Sequence, residues 1–323
     1  TINMVGMKAF ICTVSSILLF LTACNSSVES YKLMYEGYVK ELSDSSRYFG
    51  RTDYKGGNVI AADFITQEIR KLGLDVMEQD FTYPKNTMHG ALSFSVDGRE
   101  YEFSKEFVVK EFSSSKNATM DIYFLPDEYL TTKKDQFYQH LNSGNYLNSF
   151  VAFDFALFSE NFGGKGVELY RDNLVQLDKV GGIIFLYDSR PVSYVARANY
   201  TTPFPVVCVG PDFPRNAKTA TINLENKFLH NYKAKNIVTY IKGEDNDFDD
   251  YYLFMAHYDH LGCIGEGNVF SGANDNASGT SFLLTLMNYY KKNRPENPIV
   301  FLFLDAEEAN LLGAYHYADN PIF

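Results

Sequence analysis

Five side chains between positions 257 and 308 have the chemical types that metal-assisted hydrolysis needs. They are His257, Asp259, Asp275, Glu307 and Glu308. An imidazole together with several carboxylates is a ligand set that suits zinc or a similar divalent ion. The two adjacent glutamates can divide the work, because one can bind metal while the other accepts a proton from water. These residue types therefore indicate a hydrolase that uses a metal ion.

These residues lie in three short blocks of sequence, at 256–262, 272–279 and 305–313. Each block also has an ordinary structural explanation. A histidine two positions before an aspartate is usually structural, and paired glutamates at a helix start interact favourably with the helix N-terminus. A Gly-Ala-Asn-Asp sequence is usually only a turn. Together, in this order and at this spacing along the chain, the three blocks are a strong indication of function.

The predicted elements around the blocks bring them to one edge of a sheet. Strands are predicted at Ile237–Ile241, Tyr252–Ala256 and Ile299–Leu304, and helices from about Ala277 to Lys292 and from about Ala309 to Ala318. Strands that alternate with helices indicate a largely parallel sheet with covered faces. In such sheets ligands bind outside the carboxyl ends of the strands, and His257 and Glu307 follow two of these ends.

The sequence pattern of the preceding part of the chain changes along its length. A helix is predicted over residues 58–72, and a strand follows from Leu74 to Tyr83. From about His89 to Pro214, short aromatic or β-branched runs alternate with turns, which is typical of a mostly-β module. We therefore expect an α/β domain that is interrupted by a β-rich insert.

Composition and charge exclude several classes of protein. The chain has 323 residues, enough for about two domains. It is 46% hydrophobic and 21% charged, which does not fit a disordered chain, a collagen or a polytopic membrane protein. The formal net charge is −11. This acidic balance argues against a nucleic-acid partner, because binding the phosphate backbone needs a basic patch.

The N-terminal residues indicate export. An apolar stretch from Ala9 to Ala23 follows Lys8 and is too short to span a bilayer, which is typical of a signal peptide. Its last residues, Leu-Thr-Ala before Cys24, resemble the bacterial lipobox. We expect residues 1–24 to be a lipoprotein signal and lipidated Cys24 to anchor the protein in a bacterial cell envelope, on the outer membrane or the periplasmic face. A plain secretory signal or an uncleaved anchor is the alternative.

The three blocks resemble those of the co-catalytic zinc metallopeptidases, a family that includes aminopeptidase Y, the bacterial leucyl aminopeptidases and glutamate carboxypeptidase. The resemblance implies an α/β three-layer sandwich with a mostly parallel central sheet. Residues 25–87, which contain Gly50-Arg51, resemble the N-terminal segment of the peptidase domain. Residues 88–220 resemble an inserted protease-associated domain, and residues 221–323 the peptidase core.

The resemblance also implies a role for each site residue. His257 corresponds to a ligand of one zinc, Glu308 to a ligand of the other, and Asp275 to the carboxylate that bridges both. Glu307 corresponds to the general base and Asp259 to the carboxylate that orients the ligand histidine. The family has a cis peptide after the bridging aspartate, so the peptide bond after Asp275 is expected to be cis.

The implied function is a two-zinc exopeptidase that hydrolyses peptide or protein substrates. Aminopeptidase activity is favoured over carboxypeptidase activity because it is the commoner one in the family. Co²⁺ or Mn²⁺ would suit the same ligands as Zn²⁺. The family has two later ligands that would come after Phe323, so the chain is expected to be part of a longer protein and inactive as it stands. Neither His260 nor His316 is expected to replace them.

Two other functions stay open from the sequence. Glutaminyl cyclases are a related branch with a single zinc ion, although the blocks around Asp275 and Glu307 look more like those of the peptidases. The chain could also be a lipid-anchored pseudopeptidase that binds peptides or glycans without catalysis. Hydrolysis of aminoacyl substrates in the presence of zinc distinguishes these functions from the leading one.

Overall fold

The computed structural model describes residues 28–131, 134–162, 174–190, 198–244 and 250–323. The predicted signal peptide and Cys24 lie outside these ranges, so their assignment stays a prediction. Among the described residues, no helix is both long enough and apolar enough to cross a bilayer.

Helices lie mainly towards the two ends of the described chain, and strands fill its middle. The helices are α1 (28–42), α2 (Ser45–Tyr48), α3 (Gly57–Lys71), α4 (Asp127–Leu130), α5 (Lys134–Ser143), α6 (Phe155–Phe162), α7 (Ser278–Lys292) and α8 (Leu312–Asp319). The strands are β1 (Met77–Thr87), β2 (Leu92–Val96), β3 (Arg99–Glu100), β4 (Phe107–Val109), β5 (Lys116–Phe124), β6 (Tyr146–Asp154), β7 (Val180–Leu186), β8 (Val206–Val209), β9 (Thr219–Leu224), β10 (Lys227–Ile241), β11 (Tyr252–His257), β12 (Cys263–Ile264), β13 (Asn268–Val269) and β14 (Ile299–Leu304).

A four-stranded sheet with the order β1-β10-β14-β11 carries the predicted site residues. Strands β11 and β14 are parallel, whereas β1 with β10 and β10 with β14 are antiparallel. The predicted α/β class is confirmed, but the described strands form a mixed sheet instead of the mostly parallel one expected. The reason is that β10 follows β9, a strand of a different sheet, and runs antiparallel to both of its neighbours.

Helices cover both faces of this sheet and make three layers. Strand β14 is apolar throughout, and its alternate side chains point to opposite faces. On one face, Phe301 belongs to a buried cluster with Ile65 of α3 and Leu284 of α7. On the other face, Leu302 packs in a cluster with Tyr317 of α8. Burial on both sides explains why this strand reads as a continuous apolar run.

Strands β1 and β10 form a long antiparallel ribbon that connects this sheet to the rest of the chain. The ribbon runs from Met77 opposite Val238 to Thr87 opposite Lys227. Beyond it, eight strands form a second sheet with the order β3-β2-β9-β5-β6-β7-β8-β4. This sheet has apolar clusters of its own. We propose that it is the insert expected at residues 88–220, and its identity as a protease-associated domain stays a prediction.

The hairpin of β12 and β13 joins the end of β11 to the insert. Ile264 in this hairpin is fully buried in an apolar cluster that includes Met88 and Phe94. The backbone amide of Gly265 donates to the carbonyl of Met88 at 2.7 Å. The chain that leaves His257 therefore contacts the insert before it returns to the four-stranded sheet.

Candidate active site

The carboxyl ends of two adjacent parallel strands bring most of the predicted residues together. His257 is the last residue of β11 and pairs with Leu304, the last residue of β14. Asp259 lies in the loop after β11, and Glu307 and Glu308 lie in the loop after β14. Because the two strands are parallel and in register, both loops leave from the same edge of the sheet.

The ring of His257 lies at the centre of the cluster. Its Nε2 atom is 3.0 Å from Asp275 Oδ1 and 3.9 Å from Glu307 Oε2. Its buried Nδ1 atom lies 3.4 Å from Asp259 Oδ1, which is long for a hydrogen bond. The ring therefore presents Nε2 to two carboxylates and has Asp259 on the opposite side, where a carboxylate can orient a ligand histidine.

The nearby carboxylates keep His257 protonated in the absence of metal. Burial by itself lowers the pKa of the ring, but Asp259, and then the charges of Glu307 and Asp275, outweigh it and raise the pKa to about 9. A metal ion that binds at Nε2 must displace this proton, so metal binding and proton release are coupled at the site.

Asp259 connects the two loops at the sheet edge. Its Oδ1 accepts a hydrogen bond from the backbone amide of Glu307 at 3.1 Å, and its Oδ2 accepts one from the amide of Glu308 at 3.2 Å. The same carboxylate faces His257. Asp259 therefore fixes the position of both glutamates in addition to facing the ring, which the sequence did not indicate.

Asp275 lies in the turn that leads into α7. The peptide bond from Asp275 to Asn276 is cis, as expected from the sequence. The Oδ1 atom of Asn276 accepts a hydrogen bond from the amide of Gly279 at 2.8 Å, so this turn is fastened to the start of the helix. The side chain of Asp275 is 62% exposed and can be reached by an ion or a substrate from solvent.

Glu308 and His260 form a second group of possible metal donors. His260 Nδ1 is 2.9 Å from Glu308 Oε1. One ligand atom each from His260, Asp275 and Glu308 lie within 4.8 Å of one another. The sequence did not place His260 among the ligands, yet the structure puts it where it can orient Glu308 or bind beside it. His316 stacks on Phe81 with ring centroids 4.8 Å apart, which agrees with a packing role.

Glu307 stays accessible beside these donors, with 33% of its side chain exposed. Its partial burial raises the pKa of the carboxyl group. His257 opposes this shift, whereas the neighbouring charges of Glu308, Asp259 and Asp275 reinforce it. An accessible carboxylate that is more basic than usual is suited to accept a proton from water.

Two buried charged residues support the site and were not predicted to do so. Arg51 is fully buried and donates hydrogen bonds to backbone carbonyls of both the Tyr258 and the Gly272 loop segments. Asp305 accepts hydrogen bonds from the hydroxyl of Tyr258 and the amide of Lys235, each at 3.2 Å. The sequence indicated Arg51 only through the resemblance of its N-terminal segment, because its partners are backbone groups far along the chain.

Known proteins resemble this chain most clearly over the segment that holds the cluster. Residues 236–322 match the profile of Peptidase family M28. Aminopeptidase YwaD from Bacillus subtilis (strain 168) is 36% identical over 104 residues, which cover 32% of this chain and 21% of that protein. The chain therefore spans about a fifth of the length of this curated relative.

Solved structures extend the similarity of the fold to most of the chain. An aminopeptidase from Aneurinibacillus sp. strain AM-1 has a TM-score of 0.61 at 16% identity, covering 90% of this chain and 66% of that one. The zinc aminopeptidase BSAP from Bacillus subtilis has a TM-score of 0.61 at 22% identity, covering 90% of this chain and 65% of that one. At these identities the comparison establishes the fold alone.

Proposed function

We propose that this chain belongs to peptidase family M28, whose profile matches residues 236–322, and that it is the metal-binding part of a zinc-dependent aminopeptidase. The observation that carries the proposal is the position of Asp275, whose carboxylate lies 3.0 Å from His257 Nε2 and within 4.8 Å of ligand atoms of His260 and Glu308. An accessible Glu307 lies beside them, 3.9 Å from His257 Nε2. An imidazole and carboxylates are the donors that a catalytic zinc site in a peptidase uses, and a free carboxylate is the base that hydrolysis needs.

The residues at the sheet edge fit a divalent metal. His257 Nε2 faces carboxylate oxygens, and the carboxylates that surround it repel one another unless a cation or a proton lies between them. His257, Asp275 and Glu308 would hold zinc, and Co²⁺ or Mn²⁺ would fit the same donors. When bound, zinc polarises a carbonyl group and lowers the pKa of water.

Glu307 is the group in this chain that can move a proton during hydrolysis. Its raised pKa and its exposure allow it to take a proton from water as the water attacks a peptide carbonyl. The protonated Glu307 then returns that proton to the leaving amine. Asp259 holds the backbone of Glu307 in place throughout, because its buried carboxylate accepts a hydrogen bond from the backbone amide of Glu307.

Aminopeptidase activity is the specific form of the proposal. Support comes from the relatives, since YwaD and the two solved structures are named as aminopeptidases. The substrate would be a peptide or a protein with a free N-terminus. This chain covers only part of each of these proteins. The experiment therefore has to decide whether the substrate is cleaved at its N-terminus.

The experiment measures hydrolysis of aminoacyl p-nitroanilides by the full-length, zinc-loaded protein and by its Glu307→Gln variant. We expect the substitution to lower kcat by about 10²–10⁴-fold, because glutamine cannot accept the proton. The zinc content should stay equal to that of the wild type. Glu266→Gln, at an exposed position in the β12–β13 hairpin, is the matched control and should keep full activity.

Three outcomes would contradict the proposal in different ways. Activity that survives Glu307→Gln would remove this residue as the base. No hydrolysis by a wild type that holds zinc would favour a pseudopeptidase. Conversion of N-terminal glutaminyl peptides without hydrolysis of aminoacyl substrates would favour a glutaminyl cyclase.

A further inference from the structure

Arg51 is buried beneath the cluster of metal donors. It lies between α2 and α3, it is fully buried, and its φ angle is +52°. Its own backbone is fastened on both sides, because its amide donates to Tyr48 at 2.7 Å and its carbonyl accepts from the amide of His260 at 3.4 Å. The backbone from which the guanidinium group extends is therefore held in place, independently of the hydrogen bonds that the guanidinium group itself donates.

All five N–H donors of this guanidinium group have a backbone carbonyl as their acceptor. Nε donates to Tyr258 at 2.7 Å. Nη1 donates to Leu42 at 2.7 Å and to Ser271 at 2.8 Å, and Nη2 donates to Gly272 at 2.8 Å and to Asp275 at 3.2 Å. These are the acceptors Tyr258, Leu42, Ser271, Gly272 and Asp275. A guanidinium group has five such hydrogens, so none is left over.

Four of the five acceptors, all except Leu42, belong to the two segments that carry metal donors. Tyr258 directly follows His257, and Asp275 is itself the proposed bridging carboxylate. These two segments are separated in the chain by the hairpin that packs on the insert. One rigid, planar group therefore connects the backbone behind His257 to the turn of Asp275.

Building on the proposed function, we infer that Arg51 is a positioning residue that sets the separation of His257 and Asp275 before metal binds. It does so because its planar guanidinium group donates hydrogen bonds to backbone carbonyl groups of both segments. It touches neither the proposed metal position nor the substrate with its own side-chain donors, because all of these are used by the backbone. Its contribution is thus to the geometry of the ligands.

Lysine cannot perform this role, although it keeps the positive charge. An ammonium group has three hydrogens on a single nitrogen, so at least two of the five carbonyls would lose their donor. The carbonyls are also spread over three segments of chain, which a fork can reach and a point donor cannot. The substitution Arg51→Lys therefore keeps the positive charge and removes the hydrogen-bonding geometry of the guanidinium group, so it separates the two effects.

Gly272 provides the space into which the fork fits. A Cβ atom at this position would clash with Arg51 Nη2 and would lie 2.6 Å from the carbonyl oxygen of Asp275. The residue has a φ angle of +59°, where glycine is favoured. The variant Gly272→Ala therefore displaces the same contact from the opposite side and leaves Arg51 intact.

The test measures binding of Co²⁺ alone to the intact, metal-free protein. The wild type, Arg51→Lys and Gly272→Ala are titrated against a competing chelator, and the visible spectrum of bound Co²⁺ reports the ligand geometry. We expect both variants to bind Co²⁺ about 10–100-fold more weakly and with a changed spectrum, because removing support behind a ligand typically has this effect. Their metal-free circular dichroism should match that of the wild type.

The matched control is Arg294→Lys. Arg294 is also partly buried and donates through Nε and Nη2 to a backbone carbonyl, that of Gly243, at the opposite end of β10. We expect this variant to change the melting temperature without changing the affinity or the spectrum of bound Co²⁺.

The outcomes separate this inference from the proposed function. A wild type that binds no Co²⁺ overturns the metal site of the proposed function. A wild type that binds Co²⁺ while both variants bind it equally well, with the same spectrum, overturns the role of Arg51. Loss of native circular dichroism in both metal-free variants also overturns it, since Arg51 would then be required for folding in general.

Discussion

Two buried carboxylates lie below the exposed acids of the site and have different partners. Asp259 accepts hydrogen bonds from the backbone amides of Glu307 and Glu308. Asp305 accepts hydrogen bonds from the backbone amides of Ala306 and Lys235. The burial of Asp305 raises the pKa of its carboxyl group well above the usual range, and the charge of Asp259 adds to this effect. The backbone amides oppose the shift without cancelling it. Placing two acids so close makes one of them difficult to ionise.

The raised pKa of Asp305 predicts how stability depends on pH. Its pKa is higher in the folded than in the unfolded chain, so the folded state binds more protons between the two values and loses stability as the pH rises through this window. We expect the wild type to lose on the order of 1 kcal/mol or more between about pH 5 and pH 8 relative to Asp305→Asn, which has no charge to bury. Urea unfolding of both proteins at the two pH values measures the difference.

The comparison with Asp305→Asn cancels the groups that titrate in both proteins. A constant difference in unfolding free energy across the range would show that Asp305 has the same protonation state at both pH values. Asp97→Asn is a useful control, because hydrogen bonds from Thr219 and Lys218 lower the pKa of this exposed acid and place its titration below the range.

At the scale of elements, the loop after β11 belongs to two parts of the structure. His257 begins it at the sheet edge, Ile264 packs in the core of the insert, and Asp275 ends it at the start of α7. The hairpin in its middle is short, with two residues in each strand, and both Cys263 and Ile264 in its first strand are buried. Packing in the insert therefore fixes the middle of the segment that connects two metal donors.

Truncation of Ile264 should cost stability. Ile264→Ala removes apolar atoms from a fully buried position and leaves a cavity, so we expect a loss of about 2–5 kcal/mol in the free energy of unfolding. Chemical denaturation measures it. Val59→Ala, on an exposed position of α3, is the control and should stay within about 0.5 kcal/mol of the wild type. An equally small effect at Ile264 would mean that the hairpin does not depend on this contact.

At the scale of the whole molecule, the net charge of −11 includes the acids that meet at one edge of the sheet. Asp259, Asp275, Glu307 and Glu308 lie around one histidine, which is protonated without metal. Their mutual repulsion opposes folding, and a bound cation would reverse it. Metal binding and folding are therefore expected to stabilise each other.

Zinc should raise the stability of the whole protein in a way that depends on its concentration. A ligand that binds only the folded state adds about 2.7 kcal/mol at one hundred times its dissociation constant. We expect calorimetry to show a higher melting temperature with zinc, its return to the starting value after addition of a chelator, and a smaller shift in Glu308→Gln. A shift of the same size in Glu308→Gln would exclude this residue as a ligand.

Much of the site could be predicted from the sequence because its chemistry is encoded in side chains. The blocks around His257, Asp275 and Glu307 carry their own donors, and the alternation of strands and helices from residue 237 onward is a local property. The strand at Ile299–Leu304 and the helix near residues 58–72 were predicted closely for the same reason.

The tertiary structure alone decided the relative directions of the strands in the sheet and which residues support the site. Strand β10 runs antiparallel to β1 and β14 because it returns from the eight-stranded sheet, more than a hundred residues after β1, and no local pattern specifies that pairing. Arg51 could not be recognised as a residue of the site for a related reason. Its partners at Tyr258, Gly272 and Asp275 are peptide carbonyls, which every residue has, so only the folded backbone decides which of them meet its side chain.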